Sequence, residues 1–272
     1  MSISDTESAW CAVTVWCQDW RAAERLGVSQ LARLLTAAER TDGISLWWFT
    51  RKAASWRLRW RPGRGGHNPA EFGDGRLRGV LDGDAVYRWA PAVYEPEIHA
   101  FGGPAGMDVA HLLFHHDSHN VLAHLGRACP EHRAEIGLVL AAALLNAAGQ
   151  DYYEQGDVWT RVAGHRRTRQ AGARQSDAAS ATRTAVRQLL AARTLQPLEA
   201  LPAWPAAFRH AGRSLASLAD QGQLTRGLRA VLAHHILFAW NRLGIPASDQ
   251  AQLAHTAADI IFDDLGLIPD ER

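Results

Sequence analysis

Apolar positions in the first third of the chain fall mostly at strand spacing, and from Ala105 onward they recur at helical spacing. Trp10–Trp16 is apolar and β-rich (Ala12, Val13, Thr14, Val15), which predicts a buried strand. Ser29 has the form of an N-cap for a helix over Gln30–Arg40, with Leu31, Leu34, Leu35 and Ala38 on one face and Gly43 as the stop. Ile44–Thr50 and Ser55–Arg61 predict a hairpin across Lys52-Ala53-Ala54. Arg76–Leu81 and Ala85–Ala92 flank Asp82-Gly83-Asp84 and predict a second hairpin. Between the two, the Gly/Pro-rich Pro62–Gly75 reads as a surface loop. Helices are expected over Ala105–Leu125, Glu131–Ala148, Ala179–Arg193, Ala203–Gln221, Leu224–Leu243 and Ser248–Leu265, with Gly126, Gly149, Gly222 and Gly244 at their stops. The polar, Arg-rich Gly164–Asp177 reads as a mobile loop, and Glu154–Trp159 as a polar loop with an ordered turn. Strands followed by helices, without βαβ alternation, predict an α+β fold. N-terminal antiparallel hairpins form a sheet, and the C-terminal two-thirds is mostly α-helical. One domain spanning 1–272 is expected, sheet-rich over 1–103 and helical over 104–272.

Composition narrows this picture. Hydrophobic residues make up 47% of the 272 and charged residues 21%, enough for a substantial core. A formal charge of +1 gives no overall basic field for nucleic acid or a membrane surface. Cys11, Cys17 and Cys129 show no Cys-x-x-Cys spacing, so neither a disulfide framework nor a zinc ribbon is expected. The N-terminus lacks a basic and then apolar signal segment, and the apolar run Ile136–Ala148 falls short of the ~20 residues of a membrane span. A cytoplasmic protein is expected.

Candidate chemistry lies in five places. Strand alternation puts Arg57, Arg59 and Arg61 on one face and Trp56, Leu58 and Trp60 on the other, with Arg51 and Lys52 at the turn of the same hairpin. The arginines form either a solvated sheet face or a guanidinium row aimed at a carboxylate. Glu95 and Glu97 share a face of an extended segment, Tyr94-Glu95-Pro96-Glu97, that ends at Phe101-Gly102-Gly103; they are ion-pair partners of that row or an acid/base pair. His111, His115, His116, His119 and His124 crowd one helix, and His111/His115 and His115/His119 have the i,i+4 spacing of metal ligands. No Glu follows the first His as in zinc-protease helices, and no Cys or carboxylate nearby in sequence completes a set, so no metal site is assigned. His234-His235 sit in an apolar helix, either as satisfied core residues or with one ring reaching a site. Asn241-Arg242 near that helix's end either bind a carboxylate or cap carbonyls. There is no phosphate-cradling loop, dinucleotide fingerprint or nucleophile elbow.

Several segments together carry a resemblance. They are Trp47-Trp48-Phe49-Thr50-Arg51-Lys52 with Trp56-Arg57-Leu58-Arg59, Tyr94–Glu97 with Phe101-Gly102-Gly103, Phe114–Ser118, Tyr153–Trp159 and Asn241-Arg242-Leu243-Gly244. In order and spacing, from about Trp47 to Phe262, the chain resembles the C-terminal domain of lantibiotic dehydratases, the thiopeptide-type bacteriocin biosynthesis family. The resemblance implies action on a leader-bearing, ribosomally made precursor peptide. In one branch a separate domain glutamylates Ser or Thr from glutamyl-tRNA, and this domain eliminates glutamate to leave a dehydroamino acid. In a related branch the domain builds the pyridine ring of thiopeptides by formal [4+2] cycloaddition of two dehydroalanines, losing water and the leader. A third alternative is a non-catalytic module that presents a peptide to a partner dehydratase.

On the elimination reading, the resemblance implies that Arg57 and Arg59 bind the glutamyl group, Glu97 orients them or relays a proton, and His234 or His235 acts as acid/base. Arg51, Tyr94, His99, Asn241 and Arg242 are the expected substrate-binding residues. Elimination domains place an Arg directly before the aromatic-Gly-Gly unit, where this chain has Ala100, and His99 is the expected substitute. They also carry a His close before Asn-Arg, where this chain has Leu237 and Ala239. No cofactor is implied. The expected partners are the precursor peptide and a separate glutamylating dehydratase subunit, with a homodimer allowed and neither nucleic acid nor membrane expected.

Overall fold

The computed structural model describes residues 10–41, 43–52, 54–63, 72–127, 131–166, 177–192, 195–264 and 266. It divides into two compact units, Met1–Pro96 with Phe114–Pro130, and Glu97–Leu113 with Glu131–Arg272. The α+β expectation holds: a small antiparallel sheet comes first and a mostly helical region follows.

The first unit is built on a four-stranded sheet in the order β2-β3-β1-β4, from β1 (Cys11–Cys17), β2 (Ile44–Lys52), β3 (Ser55–Pro62) and β4 (Val86–Ala92). Central β1 buries Val13, Val15 and Cys17, as its alternation requires. The hairpin β2/β3 pairs Trp48 with Arg59, Phe49 with Leu58 and Thr50 with Arg57. Trp56, Leu58 and Trp60 are buried while Arg57 is exposed, so the predicted two-faced strand is present.

Three local expectations are corrected. The helical segment before β2 does not begin at Ser29 but at Trp20. Asp19 Oδ1 accepts from the Ala22 N–H at 2.7 Å and caps α1 (Trp20–Leu26). A π-helical turn, Gly27–Leu31, links it to α2 (Ala32–Arg40). Ser29 lies inside this run, where its hydroxyl donates back to the Arg25 carbonyl at 2.6 Å. Gly27 lets the segment meet the sheet, since a Cβ there would lie 2.5 Å from the Trp56 ring. Second, Arg76–Leu81 is not a strand. A π turn, Phe72–Leu77, runs into the short α3 (Arg78–Leu81), because Leu77 and Leu81, four apart, are both buried. Third, Glu154–Trp159 is no loop. Asp151 and Glu154 form a capping box that starts α6 (Tyr152–Gly164), so the polar run is a helix's first turns. Residues 167–176 of the predicted loop Gly164–Asp177, and 64–71 of Pro62–Gly75, lie outside the described residues.

Strand β2 is an edge, and its outward groups are met by side chains from α4 (Pro104–Leu125). The Phe49 N–H donates to Ser118 Oγ at 3.2 Å. His115 Nδ1 lies 3.1 Å from the Trp47 carbonyl oxygen and 3.3 Å from its nitrogen. Phe114 packs on Trp48, with ring centroids 4.8 Å apart.

The second unit is helical: the first half of α4, then α5 (Arg133–Ala147), α6, α7 (Asp177–Ala191), the short α8 (Gln196–Glu199), α9 (Ala203–Asp220), α10 (Leu228–Leu243) and α11 (Ala247–Asp264). Trp159 of α6 stacks on Trp240 of α10 at 5.7 Å, both fully buried. The unit opens with the turn Ile98–Gly103, closed by the Gly103 N–H on the Ile98 carbonyl at 2.9 Å. Gly102 (φ 85°) and Gly103 (φ 101°) both occupy the left-handed region, which is why this position reads Gly-Gly. Thr225 fastens the turn by donating its N–H to the Gly102 carbonyl at 2.9 Å. Among the described residues no helix is long and apolar enough to cross a membrane.

The first turn of α4 folds back tightly on Phe101, and a Cβ on Gly106 would lie 2.0 Å from the Phe101 carbonyl oxygen. Gly106→Ala is therefore expected to cost about 2 kcal/mol or more. Gly79→Ala, where a Cβ meets nothing within 4 Å, stays neutral or gains up to about 1 kcal/mol. Urea unfolding of the two variants checks the contrast.

Candidate functional site

On the first unit, Arg59 sits on an aromatic floor. Its guanidinium carbon lies 4.2 Å above the Trp48 ring and 5.1 Å from the Tyr94 ring. Nη1 donates to Thr50 Oγ1 at 3.2 Å and to the Arg57 carbonyl at 3.3 Å. Trp48 is itself wedged by Trp10, Tyr94 and Phe114. A guanidinium so held gives up little side-chain entropy on gripping an anion. Arg59 and Tyr94 are half-buried and Arg57 is exposed beside them. The sheet thus brings together Arg57, Arg59 and Tyr94 of the expected set.

Arg51 does not join them. Strand alternation turns it to the opposite face, where it pairs with Glu24 of α1 and lies 5.1 Å from the Trp56 ring. With its side chain only 8% exposed, it ties helix to sheet instead of extending the arginine row.

In the second unit, the adjacent histidines of α10 face differently. His235 is fully buried, its ring edge-on to Phe101 at 5.0 Å. His234 is half-buried, its Nδ1 is 3.1 Å from the Ala230 carbonyl, and its ring lies 4.7 Å from His165. Burial pushes His234 below the ordinary histidine range, and nearby His165 and Arg226 add to this. Burial lowers His165 too, with Arg226 and Arg166 contributing. Arg226 Nη1 donates to the Ala100 carbonyl at 3.4 Å. A neutral imidazole beside a guanidinium, next to the Phe101-Gly102-Gly103 turn, can accept a proton near neutral pH. Neither His165 nor Arg226 was singled out from sequence, since both lie far along the chain from Ala100 and His234.

Asn241 and Arg242 are engaged within the helices. Asn241 Oδ1 accepts from Arg166 Nη2 at 3.0 Å and Gln250 Nε2 at 3.1 Å. Arg242 is fully buried. Helix phase turns Arg242 inward, and a polar network holds Asn241. Glu95, Glu97 and His99 are exposed on the segment leading into the Gly-Gly turn.

A third cluster joins α2 to α4. Glu39 meets His115 and His119, the i,i+4 pair for which sequence supplied no carboxylate. Burial holds His115 down at about 4, with His119 adding to it, so this ring is neutral at pH 7. Burial raises Glu39, but the His119 hydrogen bond and the charges of His119 and His115 outweigh it and lower the net value.

Burial, with help from Arg242 and His234, also drives His235 down to about 3. The sign follows: between pH 6.5 and 3 the unfolded chain takes up a proton that the folded chain refuses, so stability falls as pH falls. This histidine costs about 1.4 kcal/mol for each pH unit below 6.5. Urea unfolding at pH 7 and pH 5 should show wild type losing about 2 kcal/mol more than His235→Leu. Equal losses would remove His235 as the cause.

The geometry has counterparts. The match to the family of lantibiotic biosynthesis dehydratase C-terminal domains covers residues 10–261. No curated protein matches the sequence. Among solved structures, the tRNA-dependent lantibiotic dehydratase MibB from Microbispora sp. 107891 is similar at 17% identity and TM-score 0.64, over 98% of this chain and 29% of that one. The chain thus spans under a third of that dehydratase. TsrL is similar at 17% identity and TM-score 0.58, over 95% of both chains. The pyridine synthase TbtD, from thiomuracin biosynthesis, is similar at 14% identity and TM-score 0.62, over 96% of this chain and all of that one. At such identities these structures speak for the fold, while the family match covers nearly the whole sequence. The chain belongs to the lantibiotic dehydratase C-terminal family.

Proposed function

We propose that this protein matures a ribosomally made, leader-bearing peptide by eliminating glutamate from glutamylated Ser or Thr. The carrying observation is the Arg59 guanidinium, stacked on Trp48 and Tyr94 beside exposed Arg57. Two guanidinium groups suit a leaving group that bears carboxylates. A base removes the Cα proton, and its electron pair forms the Cα–Cβ double bond. The Cβ–O bond breaks and glutamate departs as a carboxylate that the arginines stabilise. His234, half-buried and depressed in pKa, is the base favoured over fully buried His235. Glu97 and His99 are proposed to line the peptide's path, with Glu97 as orienting group or proton relay. A separate glutamylating subunit supplies the substrate.

A second reading is pyridine formation from two dehydroalanines. It is favoured by Ala100, where elimination domains carry an arginine, and by likeness to the pyridine synthase TbtD.

Purified protein with glutamylated peptide is expected to release free glutamate and a peptide one water lighter than the unmodified precursor. Arg59→Ala should slow this about 100-fold, and Arg59→Lys should recover little of it because the planar fork is lost. Full activity of Arg59→Ala overturns the assignment. Ring closure of a bis-dehydroalanine peptide with freed leader, in place of glutamate release, selects the second reading.

A further inference from the structure

We propose that Glu39, His115 and His119 form a binding site for a divalent transition metal of the zinc type, with one coordination position open to water. His115 Nε2 and His119 Nε2 lie 3.4 Å and 3.2 Å from the same oxygen, Glu39 Oε1. The candidate ligand atoms of all three residues fall within 4.8 Å of one another. A tetrahedral ion with bonds of about 2.0–2.1 Å separates its ligand atoms by about 3.3 Å, so these gaps fit one shared ion. Two imidazoles and one carboxylate are a zinc ligand set, and imidazole disfavours magnesium or calcium.

The surroundings suit a bound metal. His115 Nδ1 is nearer the Trp47 carbonyl oxygen, at 3.1 Å, than the Trp47 nitrogen, at 3.3 Å. An Nδ1–H donated to that carbonyl leaves the Nε2 lone pair facing a carboxylate oxygen. The contact is repulsive without a cation between them, and it is the second-shell bond that metal-bound histidines characteristically make. The fully buried Trp47 ring packs against His119, with ring centroids 4.4 Å apart, and would hold that imidazole in place. Side-chain exposures of 12% for His115, 21% for Glu39 and 31% for His119 leave an entry path on the His119 side. The ion would clip α2 to α4 beside the β2 edge, and its fourth ligand would be water.

Full-length protein stripped with chelator is titrated with Zn²⁺ by calorimetry, and with Co²⁺ as a spectroscopic stand-in. Wild type is expected to bind one equivalent of either and to melt several degrees higher with zinc present, magnesium having no effect. Glu39→Gln and His119→Gln keep size and polarity; each should weaken zinc binding more than about tenfold, beyond the loss of a supporting contact. Their metal-free melting curves verify folding. Failure of wild type to bind one equivalent overturns the proposal whatever the variants do. So does unchanged affinity in folded variants, or a cobalt spectrum dominated by a thiolate charge-transfer band, which would assign the ion to cysteine.

Discussion

An edge strand of a sheet presents peptide groups that must be satisfied, and in this protein the residues of α4 exist largely to meet that demand. The outward N–H of Phe49 is met by Ser118, and the carbonyl of Trp47 by His115. This fixes the phase of the helix against the strand. Phe114 then falls on Trp48, and Trp48 becomes the floor under Arg59. His119, one turn after His115, is carried to Glu39 by the same phase. The Phe114–Ser118 segment, one of those that carry the resemblance in sequence, is thus first a device for closing a sheet.

The hairpin β2/β3 shows how one strand period sorts identical charges into different duties. Arg51 and Arg59 belong to one ribbon, yet one locks a helix through Glu24 and the other stacks outward on Trp48. Net charge says nothing of this division. A chain near neutrality can still place two guanidinium groups side by side on one sheet face.

Much of the framework was legible because its signals are local. Alternation placed Trp56, Leu58 and Trp60 inside, and the glycines after long apolar runs marked helix ends, three of them with left-handed backbone at Gly149, Gly222 and Gly244. Local signals also misled. Ser29 resembles a cap but lies inside a helical run whose true cap is Asp19, and Leu77 with Leu81, four apart, share a face in strand and helix alike. The site was less legible, since its pairs are distant in sequence: Glu39 and His119 are 80 residues apart, and Arg226 and Ala100 are 126 apart. Chain topology creates those neighbours, and no periodicity announces them.

The turn at Ile98–Gly103 is held by main-chain bonds: Gly103 to Ile98, Thr225 to Gly102, and Arg226 to the Ala100 carbonyl. None of these uses the side chain of residue 100. That position is therefore a socket whose content can be exchanged while the scaffold keeps its shape. Exchanging that side chain leaves each of these bonds in place, so substitution there carries little penalty in folding.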